Sequence, residues 1–241
     1  MIILPRMPPE QTASWLGVLD LYEKIPEGWT LIGGQLVHLH CAERGRFPER
    51  PTNDVDTVID VRTDPAILRT FTVALEDLGF RSAGISAEGR QHRWLRDKAS
   101  IDVLLPEGIG QTAAERRGIT GSPTLPTQGG TQALQRSEVV AVSVAGREGF
   151  VRRANLVGAL VAKAAAHTNA GDQNPRRHRQ DFLVLAELIT ADDFANESLS
   201  KKDRQRFRHI ISAVEKDREL MLEAPGASDA VARLRIAANL G

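Results

Sequence analysis

The sequence predicts an α/β or α+β domain followed by a helical one. Two observations carry this. Strand-like segments concentrate before about residue 150, interleaved with helical ones. After that point the spacing of apolar residues is helical almost throughout. The junction is expected near residues 146 to 152, giving a first domain of residues 1–148 and a second of 149–241.

The elements follow in order. "ASWLGVLDLYEKI" has apolar residues at helical spacing. "WTLI", residues 29 to 32, reads as a short strand that runs into Gly33 and Gly34. "QLVHLHCAER" then continues as a helix, and a polar loop, "GRFPERPTN", leads to the strand "DVDTVIDV". In "TDPAILRTFTVALEDLGF" Asp64 stands at the N-cap position and Pro65 in the first turn. Ile67, Leu68, Phe71, Leu75 and Leu78 form one face, and Gly79 ends the helix. "RQHRWLRDKASIDVLLP" predicts a hairpin turning near Asp97, Lys98 and Ala99. Residues 106 to 132 show no firm period and predict a long loop with one helical turn near "TAAERRG". "EVVAVSV" predicts a final strand. Helices are expected from "RANLVGALVAKAAAH" onward, with a basic loop around Arg176, Arg177 and Arg179.

Composition narrows the class. The chain has 241 residues with 31 basic and 31 acidic side chains, so any surface for nucleic acid must be local. A single cysteine, Cys41, excludes a disulfide framework and predicts a cytoplasmic setting. The N-terminus lacks the apolar core of a signal peptide, and no apolar run approaches the roughly 20 residues needed to span a bilayer.

The aspartate strand raises the chemical question. Asp54 and Asp56 share a strand face, and two close carboxylates repel unless something positive lies between them. A divalent cation such as Mg2+ is the usual solution. A solvated, solubilising strand face is the alternative. Asp60 shares that face but sits roughly 13 Å further along from Asp56, as a bystander. Asp102 is a lone acid in "SIDVLLP"; it either completes a three-carboxylate cluster or pairs with Arg93 or Arg96 of its own hairpin. The twin glycine at a helix start suits a phosphate, through exposed N–H groups and the helix dipole, or else makes a simple tight turn.

Taken together, the order strand, Gly33-Gly34, helix, Asp54-x-Asp56, helix, hairpin with Asp102 resembles the nucleotidyltransferase superfamily, the polymerase-β-like fold. That resemblance implies a mixed sheet with flanking helices, an NTP substrate held by the glycine turn, and two Mg2+ ions on Asp54, Asp56 and Asp102. "RPTNDVD" and the helix–basic loop–helix segment bearing Lys163 and Asp181 resemble AbiEii-like and MenT-type toxin nucleotidyltransferases. This finer resemblance implies that Lys163 binds phosphate and Asp181 orients it. It also implies transfer of NMP to a tRNA 3′ end or other RNA, and a cognate antitoxin as partner.

Lys163 interrupts a small, apolar helix, either to reach a polar cleft or to snorkel from an ordinary face. Asp181 is read as a partner for Lys163 or for an arginine of the basic loop, or as an acid favouring a helix N-terminus. Arg152 to Arg179 holds six Lys or Arg and one acid, Asp172; Arg176, Arg177 and Arg179 are candidate phosphate contacts for RNA or the triphosphate. His38 and His40 are read as packing residues. Two further functions stay open. One is transfer to a small hydroxylated molecule of the aminoglycoside type, which needs an acidic acceptor cleft. The other is an inactive nucleotide- or partner-binding module.

Overall fold

The computed structural model describes residues 1–47, 52–169, 172 and 174–240. In chain order the elements are β1 (Ile2–Ile3), α1 (Pro9–Lys24), β2 (Trp29–Ile32), α2 (Gly33–Glu43), β3 (Asp54–Ile59) and α3 (Ile67–Asp77). Then come β4 (Arg81–Ser82), β5 (Arg93–Arg96), β6 (Ala99–Pro106), α4 (Gln111–Ala114), β7 (Leu125–Thr127) and α5 (Gly130–Gln135). The chain continues through β8 (Ser137–Val144), β9 (Arg147–Ala154), α6 (Leu156–Ala166) and α7 (Arg176–Leu188). It ends with α8 (Asp192–Ala195), α9 (Lys201–Lys216), α10 (Arg218–Glu223) and α11 (Ala227–Ala237).

The expected α/β architecture is present as one mixed sheet, ordered β1-β8-β9-β2-β3-β6-β5-β4, with β7 also paired to β6. β2 and β3 run antiparallel, and β3 and β6 parallel. β3 reads as a fully buried strand should: Val55, Thr57, Val58 and Ile59 are all buried. The β5–β6 hairpin turns at Asp97, which takes φ of 50°, a conformation Asp tolerates through local hydrogen bonding. Trp15, Trp29 and Trp94 are fully buried, and each such ring removes a large apolar area from water.

Three expectations need correction. The strand "EVVAVSV" is not the last: β9 pairs with β8 along its whole length, through a turn in which Ala145 and Gly146 both take positive φ. β9 therefore carries the sheet to Ala154, and the expected boundary after residue 148 falls inside this strand. Residues 106 to 132 hold α4, β7 and the start of α5. Pieces of three to six residues are too short to show a period, yet β7 pairs with the end of β6 and is part of the sheet. Finally, Arg176, Arg177 and Arg179 lie in the first turns of α7, not in a loop. Pro175 precedes them at φ of −66°, a value already helical.

The helical half is built on local signals. Asn155 caps α6 by accepting from the Gly158 amide at 2.9 Å. Ser200 and Asp203 form a reciprocal capping box at the start of α9. α6 packs on α5, α7 and α9, and α2 packs on both α6 and α7. Gly130 of α5 lies against the Val58 side chain, on the face of β3 that also carries Asp54 and Asp56. α5 therefore packs on the Val58 end of that face, and the apolar residues of both halves form one continuous core. Among the described residues no helix is long and apolar enough to cross a membrane.

Candidate active site

Strand register brings the three expected carboxylates together. In the parallel β3–β6 pair, Asp56 stands directly beside Asp102, and Asp54 beside Ser100. Asp54 and Asp56 share one face by the two-residue period of a strand. The same register sets Arg93 of β5 opposite Asp102. Of the two readings weighed for Asp102, the ion pair within its hairpin is present. Arg93 donates from Nε to Asp102 Oδ1 at 2.8 Å and from Nη2 to Asp102 Oδ2 at 2.7 Å. Nη2 also reaches Asp54 Oδ2 at 3.0 Å. Arg96, the other candidate, is committed elsewhere, to Asp20 and to the face of Phe80.

Among the described residues the Arg93 fork is hydrogen-bonded to Asp102 and Asp54 and not to Asp56. Burial pushes the Asp56 pKa up to about 7, and the neighbouring charges of Asp54 and Asp102 add to the rise. Lys163 and Arg177 act on it in the opposite direction, more weakly, from the helical half. The sheet acids and the helical cations thus share one electrostatic environment.

The twin glycine faces the same carboxylate. Gly33 opens α2 with φ of 76°. A Cβ there would lie 1.8 Å from Asp56 Oδ2, so both the backbone angle and the contact require glycine. At Gly34 a Cβ would meet Thr52 Oγ1 at 2.8 Å. Thr52 in turn donates to Asp54 Oδ1 at 3.3 Å, and its carbonyl accepts from Gln35 Nε2 at 2.8 Å. Gln35 Oε1 is itself held by Trp15 Nε1 and Gln11 Nε2. This buried amide ties α1, α2 and the approach to β3 into one rigid corner. Thr52 is the threonine of the "RPTNDVD" pattern, whereas Gln35 has no sequence signal, being an uncharged amide in an apolar helix. Gly33→Ala is expected to cost about 1–3 kcal/mol from the positive φ alone, checked by urea denaturation, and more if Asp56 cannot move aside.

Lys163 and Asp181 meet across α6 and α7: Nζ donates to Oδ2 at 2.5 Å, with both side chains 8% exposed. Asp181 lies in the second turn of α7, beyond the first-turn positions that a helix dipole favours, so its partner is the lysine. The arginines of α7 are largely occupied. Arg176 pairs with Asp217, Glu219 and Glu223, and Arg179 with Asp217. Arg177 and His178 both bind Asp172 Oδ2. Burial and the nearby Lys163 push the His178 pKa down to about 4, so its imidazole is neutral at pH 7. Asp60 binds Arg62 and Thr63 at the strand end, as a bystander would. His40 is buried against the Ala154 carbonyl, and His38 contacts Gln11. Arg50, the first residue of the "RPTNDVD" pattern, lies outside the described residues.

Among the described residues no three acidic, His or Cys side chains already converge as ligands of one metal ion. The donor set nevertheless fits a divalent cation. Carboxylate oxygens are the ligands Mg2+ prefers. A cation, the Arg93 guanidinium, already bridges Asp54 and Asp102. The third carboxylate, Asp56, lies over the glycine turn where a phosphate would approach.

No protein-family model matches the chain, and no curated protein matches it in sequence. Solved structures do. An antigenic nucleotidyltransferase-like protein from Paracoccidioides brasiliensis superposes with a TM-score of 0.51 at 14% identity, over 93% of this chain and 94% of that one. The antibiotic-resistance factor ANT(2'')-Ia aligns with a TM-score of 0.47 at 15% identity, over 88% of this chain and 99% of that one. At such identity the first likeness is one of fold: this chain has the mixed α/β architecture of a nucleotidyltransferase-like protein.

Proposed function

We propose that the protein is a metal-dependent nucleotidyltransferase that moves NMP from an NTP to an acceptor hydroxyl, releasing pyrophosphate. The observation that carries this reading is the strand register: Asp56 beside Asp102, Asp54 two residues away on the same face, with Asp56 against the Gly33 turn. Asp54 and Asp56, with Asp102, would hold Mg2+. When bound, the metal would supply positive charge for the triphosphate and lower the pKa of the attacking hydroxyl.

The chain's own groups do the rest. Gly33 and Gly34 leave the first amides of α2 open toward a phosphate. Lys163, oriented by Asp181, offers a fixed cation to the same region. The Gln35–Thr52 corner fixes the glycine turn relative to β3, so positioning accounts for much of the rate gain.

For the acceptor, the "RPTNDVD" and Lys163–Asp181 patterns favour an RNA 3′ end, with tRNA as the class. An AbiEii-like toxin restrained by an antitoxin in the cytoplasm goes with that choice. A second reading has its own support. Arg176 and Arg179 are engaged by Asp217, between α9 and α10, and Arg176 also by acids of α10, which weakens the case for a broad RNA-binding surface. A small hydroxylated acceptor of the aminoglycoside type would not need one.

Incubating the protein with each labelled NTP, Mg2+ and either total RNA or a set of aminoglycosides tests both. Label on RNA of tRNA size is the expected result; label on the small molecules alone would establish the second reading. Label on neither would leave an inactive module.

A further inference from the structure

Arg93 is held in the carboxylate cluster by backbone register rather than by chance of rotamer. β5 pairs antiparallel with β6 so that Arg93 and Asp102 are direct cross-strand partners. Its guanidinium takes both oxygens of Asp102 in a fork and one oxygen of Asp54. Planar forks of this kind are strong and directional. The three side chains differ in access. Asp102 is 8% exposed, whereas Arg93 is 43% exposed and Asp54 38%. The guanidinium thus comes over the solvent rim onto a buried acid.

We propose that Arg93 is a displaceable internal counter-cation, holding the oxygens of Asp102 and Asp54 that a divalent metal would take. The fork and the metal then exclude each other. This inference rests on the reading of Asp54, Asp56 and Asp102 as a metal site. Two consequences follow. Three carboxylates meeting in a sheet would repel one another, and Arg93 lets them fold together. A closed fork also lowers the apparent metal affinity by the fraction of molecules in which Asp102 is free. The site would therefore load only when metal is abundant or arrives with a nucleotide.

The test is metal binding by the full chain, independent of catalysis. Chelator-treated protein is titrated with Mn2+, bound metal is read from loss of the free-ion electron paramagnetic resonance signal, and Tm is measured with and without Mn2+. Arg93→Gln is expected to bind Mn2+ about tenfold more tightly, given a fork closed in roughly nine molecules of ten. It should melt lower than wild type in chelator and gain more in Tm from Mn2+. Should that variant fail to fold without metal, Arg93→Lys serves instead. A point charge cannot fork both oxygens of Asp102, so an intermediate gain is expected. Adding Asp54→Asn to either variant should remove the gain, placing it at this cluster. Unchanged or weaker Mn2+ binding in both Arg93 variants would overturn the proposal. Tighter binding in a protein that transfers no nucleotide to any acceptor would keep Arg93 as counter-cation and remove the transferase reading.

Discussion

Asp56→Asn is expected to bring nucleotide transfer below detection while leaving the protein as stable as wild type or more so. The two effects have one origin. Asp56 lies between the charges of Asp54 and Asp102, against the Gly33 backbone, and burial disfavours its ionised form. A carboxylate destabilised by burial and like charges costs stability and persists for function. Its folded-state pKa is raised from 3.8 to about 7. The folded protein therefore holds this proton more tightly than the unfolded chain, and the acid's cost to stability grows as pH rises. The stabilising effect of Asn should be absent below the ordinary carboxylate pKa, increase between about 4 and 7, and level off above. Relief of about 1 kcal/mol would raise Tm by roughly 2–4 °C in a chain of this size. Melting curves from pH 4 to 8 in chelator, beside the labelled-nucleotide assay, check both halves. Full transfer by Asp56→Asn would remove this residue from the mechanism; a large loss of Tm at pH 8 would mean that its charge is compensated after all.

Much of this site was legible before any coordinates. Two carboxylates at strand spacing share a face whatever the fold, so Asp54 and Asp56 could be paired from sequence alone. The hairpin of β5 and β6 was equally visible, because its turn residues and alternating apolar positions are local. What no local pattern fixes is register between distant strands. Asp102 lies 46 residues after Asp56 in the chain, and only the parallel β3–β6 pairing sets them side by side. The same pairing logic placed Arg93 as one of two possible partners for Asp102 and could not choose between them. The choice depends on β5 meeting β6 with Arg93 opposite Asp102, while Arg96 turns toward α1.

The missed elements have a related cause. β9 was hidden because "REGFVRRA" is too charged to read as a strand. Its arginines are accommodated by tertiary partners: Arg153 is nearly fully buried and bridges Glu43 and Glu138. Likewise, three arginines at the start of α7 oppose the helix dipole and suggest a loop. Arg177 is offset nearby by Asp172, but the acids that offset Arg176 and Arg179, namely Asp217, Glu219 and Glu223, are some forty residues away in sequence. In both places long-range ion pairs override what local propensity indicates.

Breaking the Lys163–Asp181 pair is expected to have the largest effect on stability of any change at the site. Both groups are almost fully buried and only 2.5 Å apart, so removing either takes away the other's ion-pair partner. Asp181→Leu removes the carboxylate facing the ammonium between α6 and α7, and Lys163→Met removes the ammonium facing the carboxylate. Losing one partner of a buried ion pair costs about 3–5 kcal/mol. At roughly 2–4 °C per kcal/mol, each single variant should melt on the order of 10 °C below wild type. The double variant, Lys163→Met with Asp181→Leu, removes both charges and keeps apolar volume, so it should recover most of that loss. It should recover no transfer, because the lysine that acts on the Asp56 region, beside Arg177, is gone. Urea denaturation of the four proteins gives the coupling energy, and the nucleotide assay gives the activity. Recovery of both stability and transfer by the double variant would make the pair a packing feature. Recovery of stability alone assigns the buried lysine to phosphate binding, since a merely structural ion pair has no reason to survive where an apolar pair is equally stable.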